Sequence, residues 1–132
     1  MAVLEMKNEH PRASAVRSVL RTLNATSSEI EASAAITTDG FIIGSVLGDD
    51  IDEDRFAAMC ASLLALADRA ADEISRGELK QVMIEGTAGV MLLVHAGEDA
   101  VLAIAAKPTA SLGRVFIEAK KSAANIQTTL SG

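Results

Sequence analysis

Aromatic side chains are nearly missing from this chain: 2% of residues, with no Trp, no Tyr and three Phe. Aromatic-lined ligand pockets are therefore not expected. Ala, Val, Ile and Leu must build the core, and such a core lets elements approach closely. Cysteine occurs once, at Cys60, which excludes an internal disulfide and suits a reducing compartment. One Cys and two His cannot supply the usual zinc ligand sets. Basic charge is in the minority, 12 Lys and Arg against 18 Asp and Glu for a net −6, so a phosphate backbone is repelled on average. The longest uncharged stretches, near Phe56–Ala67 and Gly86–Gly97, fall short of the roughly 20 apolar residues of a membrane-spanning helix. Met1 to Asn8 carries Glu5 and Lys7 without an apolar centre, so it does not read as a secretory signal. The expectation is a cytoplasmic protein that neither inserts into membranes nor binds nucleic acid.

What is present is an ordered series of hydrophobic periods. A helix is expected from near Pro11, with Val16, Val19, Leu20 and Leu23 at i, i+3, i+4 and i+7, and an exit loop over Asn24–Ser28. Ile30, Ala32, Ala34 and Ile36 then alternate as in a strand. Thr38-Asp39-Gly40 reads as a hairpin turn and Phe41–Val46 as the return strand. Asp50 reads as the N-cap of a second helix, with Glu53 completing a capping box. Phe56, Met59, Cys60, Leu63, Ala67, Ala70, Ala71 and Ile74 form its expected core stripe, and Gly77 ends it. Leu79–Glu85 reads as a third strand, at the edge of the sheet. Val90–Ala96 and Ala100–Ala106 are nearly continuous apolar runs, as in strands covered on both faces. The last helix places Leu112, Val115, Phe116, Ala119, Ala123, Ile126 and Leu130 on one face. The class is α+β, in the order α-β-β-α-β-β-β-α, with helices on both faces of a five-stranded antiparallel sheet.

Two surfaces stand out. Opposite the expected core stripe of the second helix lie Ala57, Ala58, Ala61, Ser62 and Ala65, all small and uncharged. A solvated helix face normally carries charge, so this flank points to contact with another helix, most simply that of a second copy about a two-fold axis. The third strand, with Val82 and Ile84, leaves an edge that invites pairing. Ala58, Ala61, Ser62, Ala65, Val82 and Ile84 are therefore the expected self-association residues. Arg55, Arg69, Asp72 and Glu73, on the rim of the helix, are the expected surface for a different partner.

Reactive chemistry is not indicated. Asp50, Asp52 and Asp54 have calcium-loop spacing, but Arg55 stands where the loop needs glycine and Ala61 where it needs a bidentate Glu. Helix capping explains those acids better. His95 reads as a packed or edge-facing imidazole, Cys60 as a small hydrophobe, and Met59, Met83 and Met91 as core fillers. Neither a Gly-x-Ser-x-Gly elbow nor a Gly-x4-Gly-Lys-Ser/Thr phosphate loop occurs. No catalytic residue, cofactor or metal is expected.

The element order, Ile36-Thr37-Thr38-Asp39-Gly40-Phe41-Ile42-Ile43-Gly44-Ser45, the alanine-rich Phe56–Glu73, Leu79–Gly86 and Leu112-Gly113-Arg114-Val115 together resemble the Roadblock/dynein light chain family. Ser111 stands where that family often has Asn. The resemblance covers about Pro11 to Leu130. It implies a single Roadblock-like domain over 11–130 after a short extension, 1–10, and a profilin-like fold. It also implies a homodimer, or a heterodimer of paralogues, joined through third strands and middle helices, that regulates or scaffolds a small Ras-like GTPase. Two other readings stay open: a small-molecule sensory module on a profilin-like sheet, and a structural adaptor in a motility complex.

Overall fold

A computed structural model describes residues 9–132; the expectations for Met1–Asn8, including most of the 1–10 extension, lie outside the described residues. The chain forms α1 (Ala13–Thr26), β1 (Ile30–Thr37), β2 (Ile42–Val46), α2 (Glu53–Glu73), β3 (Val82–Gly86), β4 (Gly89–His95), β5 (Ala100–Ala106) and α3 (Leu112–Ser131). The expected element order holds. The five strands make one antiparallel sheet in the order β2-β1-β5-β4-β3. β3 is an edge, as its sequence implies, and the two apolar runs are interior strands.

Three layers result. α1 and α3 cover one sheet face, packing Val16, Leu20, Leu23, Val115, Ala119 and Ile126 against Ala35, Leu92, Leu102 and Ile104. α2 covers the other, setting Ala57, Cys60 and Leu64 on Ala34, Ile36, Leu93, Val101 and Ala103. β1 departs from simple alternation, with Ser33, Ala34, Ala35 and Ile36 all buried. It lies between β2 and β5 and its middle, Ser33–Ile36, is covered on both faces. Ser33, buried at 1% exposure, donates from Oγ to Asn24 Oδ1 at 2.8 Å, which satisfies its hydroxyl under α1.

Several boundaries differ from the sequence reading. Pro11 lies in the turn before α1, where His10 Nδ1 accepts from the Arg12 N–H at 3.0 Å. α1 continues through Asn24 to Thr26, whose hydroxyl returns to the carbonyls of Thr22 and Leu23. The N-cap of α2 is Asp52, not Asp50; its Oδ1 accepts from the Arg55 N–H at 3.1 Å. Glu53 does not complete a capping box, because its Oε2 accepts from Ser45 Oγ at 2.7 Å and so ties the helix start to β2. The third strand is Val82–Gly86 and not Leu79–Glu85. At α3 the Ser111 side chain makes no cap. Glu29 acts there instead: Oε2 accepts from the Ser111 N–H at 2.9 Å and places its charge at the positive end of the helix dipole.

The Asp39-Gly40 turn sets the height and rotation of α2. Gly40 has φ +94°, and a Cβ placed there would lie 3.3 Å from Ala58 Cα and 3.8 Å from Ala61 Cβ. The hairpin thus rests directly on the α2 backbone, a contact open only to glycine facing alanine. Gly40→Val is expected to destabilise the fold by at least about 2 kcal/mol, through left-handed backbone strain and collision with α2, as measured by urea unfolding.

Cys60 is 1% exposed, and burial pushes its thiol from 9.0 up to about 11. The unfolded chain therefore loses this proton first. The stabilisation is complete below pH 9 and is lost as pH rises to about 11, amounting to about 2–3 kcal/mol. Unfolding measured near neutrality and near pH 11 is expected to show this loss in the wild type and not in Cys60→Ala.

Candidate interaction site

The site begins with the rotation of α2 about its axis. Its inward stripe is Ala57, Cys60, Ala61 and Leu64, at i, i+3, i+4 and i+7. The sequence reading put Met59, Leu63 and Ile74 inward and Ala57 and Ala61 outward; the structure reverses both assignments. Met59 is 53% exposed, Leu66 63%, Leu63 36% and Ile74 62%. Ala57 is at 0% and Ala61 at 8%, so Ala61 belongs to the core instead of the outer flank. The cause is the hairpin: alanines fit the narrow space over Gly40, and the long side chains turn to solvent.

Ala58, Ser62 and Ala65 are exposed, as expected from the sequence. Ala58 and Ser62 join Arg55, Met59, Leu63 and Leu66 around a shallow depression of about 470 Å³ on the outer side of the helix. Exposed Met, Leu and Leu at i, i+4 and i+7 form an apolar ridge with no cover from the other described residues. Sequence reasoning missed this ridge. The available signal was Leu63-Leu64 followed by Leu66, since three leucines within four positions cannot share one stripe of about 100° width.

β3 adds a second uncovered feature. It pairs on one side only, with β4, through Val82↔Leu93, Met83↔Leu92 and Ile84↔Met91. Val82 is half-buried against the cluster under α2, and Ile84, two residues on, points from the same sheet face and is 41% exposed. Met83 turns to the opposite face and is 43% exposed, so neither Met59 nor Met83 fills the core; Met91 packs partly buried against the α2 cluster. Backbone donors and acceptors along the outer edge of β3 have no partner strand among the described residues.

The four rim residues are all exposed but do not form one cluster. Arg55 borders the apolar depression near the start of α2. Arg69 and Asp72 lie near its end, with Asp68, Glu78 and His95 around a separate hollow of about 500 Å³. There His95 Nε2 meets both oxygens of Asp68, at 3.0 and 3.2 Å, and links the end of β4 to α2. Among the described residues, no group of three or more His, Cys, Asp or Glu is placed to hold a metal ion. Among the same described residues, no helix is long and apolar enough to cross a membrane. The arrangement is one of surfaces: an apolar helix ridge, an open strand edge, and charged ends.

Comparison with known proteins agrees with this architecture. The uncharacterized protein MJ1340 of Methanocaldococcus jannaschii is 37% identical over 109 residues, which span 83% of this chain and 94% of that protein. Among solved structures, Myxococcus xanthus MglB superposes with a TM-score of 0.84 at 19% identity, over 96% of this chain and 95% of that one. Acanthamoeba castellanii profilin II gives a TM-score of 0.60 at 17% identity, over 85% and 96% of the two chains. At these identities the two structures establish a shared profilin-like fold. The Roadblock/LC7 domain model matches residues 18–106, from the middle of α1 to the end of β5, and the chain belongs to the Roadblock/LC7 family.

Proposed function

We propose that the protein is a non-enzymatic dimeric regulator or scaffold of a small Ras-like GTPase, acting in the cytoplasm. Two observations carry this reading together: the uncovered apolar ridge of α2 and the open edge of β3. Antiparallel pairing of two β3 edges would join the sheets and bring both α2 helices to one side. Ala58 and Ser62 permit close approach of those helices, while Met59, Leu63, Leu66 and Ile84 supply apolar area to bury.

Family membership supports the regulatory role. The chain has no phosphate loop of its own, so the partner holds the nucleotide. The paired helices offer a rigid platform for its switch segments, whose order–disorder equilibrium a docked surface biases. Arg55, Arg69, Asp72 and Glu73 ring that platform and are assigned to the partner contact.

Two measurements test the two halves of the proposal. In sedimentation equilibrium the wild type is expected to be a dimer, and Leu63→Glu and Ile84→Lys are each expected to shift it to monomer without unfolding, since both side chains are already exposed. A monomeric wild type removes the proposal. Mixed with small GTPases encoded by the same genome, the dimer is expected to bind at least one and change its GTP turnover or nucleotide exchange, or to hold it without changing either. Asp72→Lys is expected to weaken that binding about tenfold or more, in the range for a close charge pair at an interface.

A further inference from the structure

The charge of this protein is unevenly spread. Between Asp49 and Glu78, on and around α2, nine carboxylates face three cations. On the opposite side of the sheet, α1 and α3 carry Arg17, Arg21, Arg114, Lys120 and Lys121 against one carboxylate, Glu118. Arg17 is held by Glu9 at 2.8 Å, and Glu118 is half-buried in the groove between the two helices. Arg21, Arg114, Lys120 and Lys121 are exposed and make no salt bridge among the described residues. Glu29 and Glu118 share a hollow with Arg114 and Ile117, but the exposed cations outnumber these carboxylates, so a chain of net charge −6 presents one cationic face.

That face also has an apolar point. Ile117 is 68% exposed, and Arg114, Ile117 and Lys121 follow each other at i, i+3 and i+7 along α3, with Lys120 alongside. We propose that the α1–α3 face docks on a bilayer surface rich in anionic headgroups, with these cations among the headgroups and Ile117 entering the interface.

Three observations favour a lipid surface over other anions. The groove between α1 and α3, about 400 Å³, is lined mostly by residues that carry a hydroxyl or an amide, such as Ser18, Thr22, Ser122 and Asn125. It lacks the apolar pockets in which a helical peptide anchors. The face has no exposed aromatic ring on which a base would stack, since Phe116 is partly buried and packs into the core. Ile117 would be idle against a phosphodiester backbone but gains burial at a membrane interface. The acidic α2 layer lies beyond the sheet, more than a helix diameter of about 10 Å away, so a Debye length of about 8 Å screens its repulsion. Pairing through β3 would place both cationic faces in one plane, but a single copy suffices for the inference.

The test is co-sedimentation of the full chain with vesicles of phosphatidylcholine alone, and of phosphatidylcholine mixed with phosphatidylglycerol. Binding is expected only to the mixed vesicles, and to fall as salt is raised. Each cation near the surface is worth about fivefold, so K120E/K121E is expected to lower the partition coefficient by about 25-fold or more. Ile117→Ser is expected to lower it by a smaller factor. Arg76→Glu, past the end of α2, is expected to leave it unchanged. Circular dichroism reports whether each variant keeps its fold. Equal binding to both vesicle types, no binding to either, or K120E/K121E binding as well as the wild type overturns the proposal. Capture by polyglutamate or single-stranded DNA without vesicle binding also overturns it. None of these readouts involves a GTPase or the dimer, so this inference and the proposed function fail separately.

Discussion

The seating of α2 on the Gly40 hairpin fixes most of what this molecule offers to others. A glycine facing the backbone of Ala58 lets helix and turn come to contact distance. At that distance alanine and cysteine fill the space beneath the first half of the helix, with Phe56 packing partly buried at its start and Leu64 filling the wider space farther along. The helix cannot roll to hide its larger side chains, because rolling would drive Met59 or Leu63 into the hairpin. Ser45 and Glu53 hold the start of the helix, and Asp68 and His95 hold its second half. The apolar ridge is thus a consequence of tight packing on the other side of the same helix.

The sheet separates this ridge from a surface of different character. The α2 side is acidic at both ends of the helix and apolar between them; the α1–α3 side is cationic and polar-grooved. Glu29 joins β1 to α3, accepting the Lys107 N–H through its carbonyl and the Ser111 N–H through its carboxylate. The carboxylate's other oxygen is buried at the positive end of α3, with no hydrogen-bond partner among the described residues.

Much of the fold was legible because its signals are local. Asp39-Gly40 between apolar runs marks a hairpin whatever surrounds it, and two unbroken apolar runs around Gly97-Glu98-Asp99 mark interior strands. The phase of α2 was not legible. With apolar residues all round its first half, the periodicity of Phe56–Leu66 allows two core stripes, and Gly40 decides between them from a distant point in the chain. The cap was ambiguous for a related reason. Asp49, Asp50, Asp52, Glu53 and Asp54 include several competent caps, and the pull of Ser45 on Glu53 selects Asp52. At the candidate site, the small residues Ala58 and Ser62 were visible as an uncharged flank. The large ones beside them were read as core because size and burial usually go together.

The strand order has a consequence for how the chain is made. β1 lies between β2 and β5, and β5 is the last strand to be synthesised. Until Ala106 has left the ribosome, the first hairpin carries an open flank on β1, a strand that will end up inside the sheet. α1 meanwhile lacks α3, its neighbour in the finished layer. A nascent chain of this topology has long-range closure as its last step, and the hazard of mispairing falls on Ile30–Thr37 before any other segment.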